Sequence, residues 1–316
     1  MNVSRRGRSI HWPLAAGLSL AGCGASQLPI VSPEPAAQSS QTVMRSEHDA
    51  AWMSPAAKNE NLVYLSAYAA RIDVYTFPKG EQVGSIPDRG YPQGLCSDLA
   101  GNVFVVDTIG DRVQEYAHGA LKREALLKDP MKQPVSCSVD ANGNLAVLNL
   151  PSPIAVEVFS AEEGKPRAYV VPKMSYPRGI AYDGQGDLFV DGSAHDGRIE
   201  LVELPAGASK FVELAVEKRI VKHIGDGPMQ WDGAKLAVEE GDRIDRLTIN
   251  GTTATLHGRV SLGEAQGLNQ FWIQGSRIVA SQEYSAAAIW KYPAGGKPLT
   301  TIPGADAGDG VTVSLY

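Results

Sequence analysis

The feature that most constrains this chain is a turn that keeps returning. "SDLAGNVFVVD" from Ser97, "VDANGNLAVLN" from Val139 and "YDGQGDLFVDG" from Tyr182 align without gaps through Asp, two residues, Gly, and Asn or Asp. That spacing describes a hairpin. Asp98, Asp140 and Asp183 can accept from the turn backbone, and Gly101, Gly143 and Gly186 supply the positive φ of a bulged turn. Fainter copies stand at "MQWDGAKLAVEE" from Met229 and "FWIQGSRIVASQ" from Phe271. Gly101, Gly143, Gly186, Gly233 and Gly275 follow one another at intervals of 42, 43, 47 and 42 residues. A period near 42 with a turn signal roughly every ten residues implies four short strands per unit. The longest interval contains "SKFVELAVEKRIVKHIGDG", read as an extended connection in the fourth full unit.

A third strand follows in each copy: "DRVQEY" at 111, "IAVEVF" at 154, "GRIELVEL" at 197, "DRIDRLTI" at 242 and "AAAIWKY" at 286. One more, "ARIDVYTF" at 70, comes before the first full unit and is preceded by "NLVYLS" at 61. This N-terminal piece lacks a first strand. "DGVTVSLY" at 309–316 supplies one, because it aligns with "QGLCSD" at 93 and "RGIAYD" at 178. Val311, Val313 and Leu315 alternate with Thr312, Ser314 and Tyr316, the pattern of a strand buried on one face. The expected fold is all-β: a six-bladed β-propeller over residues 61–316 whose C-terminal strand closes the N-terminal blade, so that no long edge is left exposed.

"GLCSDLAGNVFVVDTIGDRVQEYAHG", residues 94–119, resembles an NHL repeat, with "DRVQEY" in the place of that family's third strand. The other units resemble it more loosely. The likeness extends to gluconolactonase-like propellers and implies a fold rather than an activity, since such propellers serve as enzymes, sensors and docking platforms. The G-H and W-D signature of WD40 blades is absent, and Trp231-Asp232 falls at a turn in the wrong phase.

The N-terminus carries an address. Residues 1–22 contain Arg5, Arg6 and Arg8 and no acid, then an apolar stretch from Trp12 to Ala21. A run of about ten such residues suits an export signal and is too short for a bilayer, which needs about 20. The ending "LAGC" resembles the lipobox of bacterial lipoproteins, which implies lipidation of Cys23 after cleavage. Residues 23–60, rich in Ser, Pro, Ala and Gln, read as a flexible tether. Localisation is thus expected in a bacterial cell envelope, lipid-anchored and facing the periplasm or on the outer membrane. Loss of the signal makes the net charge of −6 more negative by three. Such a chain has no electrostatic footprint for nucleic acid. Cys96 and Cys137 then remain as a pair, read either as a disulfide or as two small buried residues.

Ligands of propellers bind at the mouth of the central channel. Ser66, Asp107, Asn149, Asp191, Glu240 and Gln282 end the second strands, one per unit, and are expected to ring one rim. Within that ring Asp107, Asn149, Asp191 and Glu240 offer oxygen ligands suited to Ca²⁺; the competing reading is that Asp and Asn simply begin turns. His195 beside Asp196, and His223 near Asp226 and Trp231, are candidates for a general base held by a carboxylate. Trp231, Trp272 and Trp290 read as core or as stacking platforms for a sugar or peptide. No G-x-S-x-G, H-E-x-x-H, Walker or C-x-x-C motif occurs. The expected function is a monomeric, lipid-anchored binding module that presents a channel rim to a protein, glycan or small polar ligand. The alternative is a metal-dependent, lactonase-like hydrolase or lyase.

Overall fold

A computed structural model describes residues 51–316 except 68–69, 89, 151, 162–164, 195–197, 218–227, 284–286 and 303–307. The signal sequence, Cys23 and the tether up to residue 50 lie outside the described residues. Strands follow one another as β1 (Trp52–Met53), β2 (Leu62–Ala67), β3 (Arg71–Thr76) and β4 (Gln82–Pro87). Next come β5 (Pro92–Ser97), β6 (Val103–Asp107), β7 (Arg112–Tyr116) and β8 (Arg123–Lys128), then β9 (Pro134–Val139), β10 (Leu145–Asn149), β11 (Ala155–Phe159) and β12 (Arg167–Val170). The second half holds β13 (Tyr176–Tyr182), β14 (Leu188–Ser193), β15 (Ile199–Leu204) and β16 (Val212–Val216), and β17 (Met229–Trp231), β18 (Leu236–Glu240), β19 (Arg243–Asn250) and β20 (Thr253–Ser261). The chain finishes with β21 (Leu268–Gln274), β22 (Arg277–Gln282), β23 (Ala287–Lys291), β24 (Gly295–Ile302) and β25 (Val311–Ser314).

The turn chemistry explains the hairpins. Asp98 Oδ1 accepts from Ala100 N at 2.9 Å and Asn102 N at 2.8 Å, and Asp140 repeats this with Asn142 N and Asn144 N at 2.9 and 2.8 Å. Gly101 and Gly143 have φ of +86° and +82°, where a Cβ is strained. At Gly101 a Cβ would also meet the Leu315 carbonyl at 2.6 Å, so this glycine admits the C-terminal strand.

Strands β5–β8, β9–β12 and β21–β24 form separate four-stranded antiparallel meanders. Strands β13–β16 and β17–β20 are two further meanders, joined into one eight-stranded sheet by a short parallel ladder that pairs Ala215 with Thr253 and Val216 with Ala254. That outer-edge bridge occupies part of the long interval expected to be an extended connection. The fifth sheet has the order β1-β4-β3-β2-β25. The first strands β25, β5, β9, β13, β17 and β21 touch one another in a closed cycle, a propeller-like arrangement.

Packing is radial. Second strands β2, β6, β10 and β18 are buried at every residue, whereas the outer strand β8 alternates between exposed and half-buried positions. A strand covered on both faces loses its period-two signal, because both sets of side chains meet apolar neighbours. Core clusters lie between consecutive sheets: Leu62, Tyr64 and Ile72 pack with Leu95, Val103 and Val105, and Ala146, Leu148 and Val156 with Ile180, Leu188 and Val190.

Two expectations need correction here. β25 is buried on both faces, since Thr312 and Ser314 are as inaccessible as Val311. Their hydroxyls are satisfied internally: Thr312 Oγ1 donates to Ser97 Oγ at 3.1 Å, and Ser314 Oγ to the Gly101 carbonyl at 2.5 Å. Nor does the tether run to residue 60. β1 pairs with β4, Ser54 caps a 3₁₀ turn at Pro55–Asn59, and Ala57 is fully buried in the core. The closing strand pairs with β2 as its alignment implies, Leu62 opposite Ser314 and Leu65 opposite Val311, and Tyr316 N donates to Asn61 Oδ1 at 3.0 Å.

Candidate functional site

The six first strands enter their sheets around one cavity of about 360 Å³. Every first-strand region contributes to its wall: Gln93, Val135, Tyr176, Pro228, Asn269 and Asp309. Arg178 is exposed there and Tyr176 is 62 % exposed. Tyr91 Oη donates to Asp309 Oδ2 at 2.6 Å, and Thr108 Oγ1 to Gln93 Oε1 at 2.8 Å, so the polar wall is held in place. A cation, an anion, amides and an aromatic lip face one opening.

A glutamine lines that cavity from the inner edges of the strands. In a ring of sheets the inner edge of each first strand has backbone groups with no ladder partner, and such groups require one when buried. Gln270 on β21 supplies it for two strands. Its Oε1 accepts from Leu95 N at 3.1 Å and Val311 N at 3.0 Å, and its Nε2 donates to Leu95 O at 2.7 Å. Gln230 does the same between β17 and β21, accepting from Ile273 N at 2.5 Å and donating to Ile273 O at 3.2 Å. Nothing in the repeat pattern marks these glutamines, because both sit in strands that align only faintly.

A second cavity of about 280 Å³ lies at the other ends of the first strands, lined by Tyr182, Trp231, Trp272 and the turn aspartates 98, 140 and 183. Trp272 crosses toward the cluster holding Cys96, Cys137 and Phe104, and its buried indole N–H finds no acceptor. Trp290, by contrast, is fully buried and donates to the Gly263 carbonyl at 3.0 Å. One tryptophan is therefore core and two line a mouth. Cys96 and Cys137 are joined by a disulfide between β5 and β9, across two sheets, with Cα atoms 5.8 Å apart.

The expected rim is not a rim of accessible ligands. Ser66, Asp107, Asn149, Asp191, Glu240 and Gln282 are all at most 4 % exposed. Most of them turn into the wall and pin the backbone at the entry of a first strand. Asp107 Oδ1 accepts from Tyr91 N at 2.9 Å, Asp191 Oδ1 from Gly179 N at 2.8 Å, Gln282 Oε1 from Gln266 N at 2.8 Å and Ser66 Oγ from Gly310 N at 2.6 Å. Asn149 Nδ2 donates to Lys132 O at 3.0 Å. Glu240 pairs with Arg243 at 2.6 Å; burial opposes its ionisation, but Arg243 holds its carboxyl below the usual range. Asp191 is also one place out of register. Gly192 is the residue opposite Pro177, as Asp107 is opposite Pro92 and Asn149 opposite Pro134. Those prolines at strand entries are a repeat signal that the turn alignment misses.

Among the described residues no three His, Cys, Asp or Glu side chains gather to hold a metal ion, so Asp107, Asn149, Asp191 and Glu240 do not form the expected Ca²⁺ cage. Each stands in a different sheet segment and is occupied by its own loop. One carboxyl pair does form, from residues not singled out in the sequence. Glu157 meets Asp129, and burial together with Asp129 pushes Glu157 up to about 8. His195, Asp196, His223 and Asp226 lie outside the described residues.

No family model matches the chain. A putative F-box protein of Arabidopsis thaliana is 30% identical over 80 residues, which cover 25% of this chain and 22% of that protein. The match thus spans about a fifth of that relative's length. Solved structures match far more of the chain. A chain of a nidogen–laminin complex superposes with a TM-score of 0.67 at 14% identity, covering 81% of this chain and 98% of that one. A functionally unknown protein from Desulfotomaculum acetoxidans gives 0.56 at 12% identity over 81% and 99%. Hydrazine synthase from Kuenenia stuttgartiensis gives 0.56 at 14% identity over 77% and 83%. Such likenesses carry the fold and no activity. With the sheet arrangement above, they make this chain a repeat protein with the β-propeller fold.

Proposed function

We propose that the chain is a binding module: a six-bladed, NHL-like propeller, lipid-anchored through Cys23 in a bacterial cell envelope, that takes a small polar ligand or the end of a glycan or peptide into its channel mouth. The blade count follows if the eight-stranded sheet is two blades bridged at their outer edges. Strands β16 and β20 meet there over two residue pairs, whereas within each half the antiparallel ladders are continuous.

One observation carries the functional reading. All six first strands, or the residues that lead directly into them, contribute to a single cavity of about 360 Å³, within the size range of small-molecule sites, and Gln270 lines it. Arg178 and Asp309 offer opposite charges, Gln93 and Asn269 offer amides, and exposed Tyr176 can stack on a sugar ring or a peptide plane. The opening is polar and mixed in sign, which suits a ligand with both donors and acceptors.

The test is a glycan and peptide array probed with the parent chain and with a Tyr176→Ala, Arg178→Ala double variant. Retention of a ligand by the parent and its loss in the double variant, with unchanged melting, supports the reading. A ligand held equally by both defeats it. Labelling with palmitate, in the parent and in Cys23→Ser, tests the anchor separately.

A further inference from the structure

The cavity of about 280 Å³ at the far ends of the first strands differs from the channel mouth in both lining and charge. Strand register shows what stands at its level. Tyr182, opposite Leu188, ends β13 and Trp231, opposite Leu236, ends β17, whereas the small Ser97, opposite Val103, ends β5. Trp272 of β21 joins them, so three consecutive first strands each bring an aromatic ring to one cavity. All three rings are half-buried, and a Cβ on Gly184 would stand 3.9 Å from Trp231 Nε1, which sets that indole against the turn of the preceding sheet. Leu99, 86 % exposed, and Leu315, 41 % exposed, add apolar surface at the lip.

The charge is of one sign. Asp98, Asp140 and Asp183 line the cavity, and no lysine, arginine or histidine is among the described residues that do, whereas Arg178 stands at the channel mouth. Burial pushes the Tyr182 hydroxyl above its ordinary range, and the negative Asp140 adds to the effect, so the field of the carboxylates reaches the aromatic wall. Their oxygens are largely engaged already. Asp98 Oδ2 accepts from Asn102 Nδ2 at 2.8 Å and Asp140 Oδ2 from Asn144 Nδ2 at 2.7 Å, while each Oδ1 serves two N–H groups of its turn. A ligand there meets negative potential and aromatic surface but few open acceptors.

That combination selects among cations. A primary ammonium is strongly hydrated and brings three donors that need acceptors. A quaternary ammonium donates nothing, and aromatic rings hold it through the attraction between its charge and their faces. We propose that this second cavity binds a quaternary ammonium solute, with Tyr182, Trp231 and Trp272 around its methyl groups and Asp98, Asp140 and Asp183 supplying the field. A phosphate beside the cation would face the same three carboxylates, so a free solute fits better than a phosphocholine headgroup. The site is separate from the channel mouth and does not depend on what binds there.

The experiment titrates choline into the folded chain by calorimetry, beside its neutral isostere in which a tert-butyl group replaces trimethylammonium, ethanolamine and phosphocholine. Choline should bind roughly tenfold more tightly than the isostere. Trp231→Leu keeps an apolar side chain without the ring and should weaken choline by about tenfold. Asp183→Asn keeps the oxygen that accepts from Gln185 N and Asp187 N at 2.8 and 3.0 Å but removes the charge, and should weaken choline by a few-fold while leaving the isostere unchanged. The Tyr176→Ala, Arg178→Ala double variant should bind choline as the parent does, so a failure of the channel-mouth reading would leave this result standing. A parent that takes choline no more tightly than the isostere overturns the proposal. So does a Trp231→Leu variant with the parent's affinity, or ethanolamine or phosphocholine bound more tightly than choline.

Discussion

Replacing Gln270 by methionine isolates what the glutamine contributes as a strut. Methionine fills nearly the same volume, so the change removes hydrogen bonds without opening a cavity. Three bonds go: Leu95 N–H and Val311 N–H lose their acceptor, and Leu95 O loses its donor. Leu95 and Val311 are both 0 % exposed, so the orphaned groups are poorly placed to recover water. Each net bond is worth about 1 kcal/mol, and each unsatisfied buried group adds to the penalty, which brings the expected loss to about 3–5 kcal/mol. A domain of this size loses about 2–4 °C per kcal/mol, so the melting temperature should fall by roughly 10 °C. Gln270→Glu should fall in between, because it keeps the acceptor for both N–H groups and sets a carboxylate against Leu95 O. Chemical denaturation of parent, Gln270→Met and Gln270→Glu measures the series. A loss below about 1 kcal/mol for Gln270→Met would refute the reasoning, since water in the channel would then be serving Leu95 and Val311 equally well.

Four further outcomes follow from the closing strand, the N-terminal edge and the disulfide. His118 bridges Ser314 Oγ at 2.6 Å and the Glu60 carbonyl at 3.1 Å, and burial lowers its pKa below the ordinary 6.5, despite the opposing backbone carbonyls. The unfolded chain then binds a proton that the folded chain refuses, so stability present above about pH 6.5 should decline as pH falls below it; His118→Gln should flatten that decline in pH-dependent denaturation. Deleting residues 311–316 removes Val311 and Val313 from the core, at about 1.5–3 kcal/mol each before backbone bonds are added, and should abolish cooperative melting. Truncation to residue 50 should leave melting unchanged, whereas truncation to residue 60 should lower it by removing β1 and buried Ala57. Cys96→Ser with Cys137→Ser opens a loop whose ends are 41 residues apart and should cost about 4 kcal/mol by chain entropy, read by denaturant midpoint and a free-thiol count in the parent.

Some of this molecule was decided by local chemistry. Asp98, Asp140 and Asp183 write the same turn, because one carboxylate reaches the N–H groups two and four residues on. Gly101, Gly143 and Gly186 hold the positive φ that the turn needs. Those terms depend only on neighbours in sequence, so the repeat, the strand order within a unit and the alignment of Val311–Ser314 with other first strands are legible in the amino-acid sequence. The carboxyl and amide ends of the second strands are legible there as a set, but not their direction. Whether Asp107 faces a channel or the Tyr91 N–H depends on how a distant strand entry packs against it.

What only tertiary structure decided are the relations across sheets. Gln270 reaches residues 95 and 311, far away in sequence, because a ring places three first strands side by side and leaves their inner edges unpaired. Glu157 and Asp129 meet because the loop before one strand folds over the third strand of its own unit. Short-range turn energetics therefore specified the unit, while the need to satisfy backbone edges and buried charges, which arises only once units are packed in a ring, specified the sites.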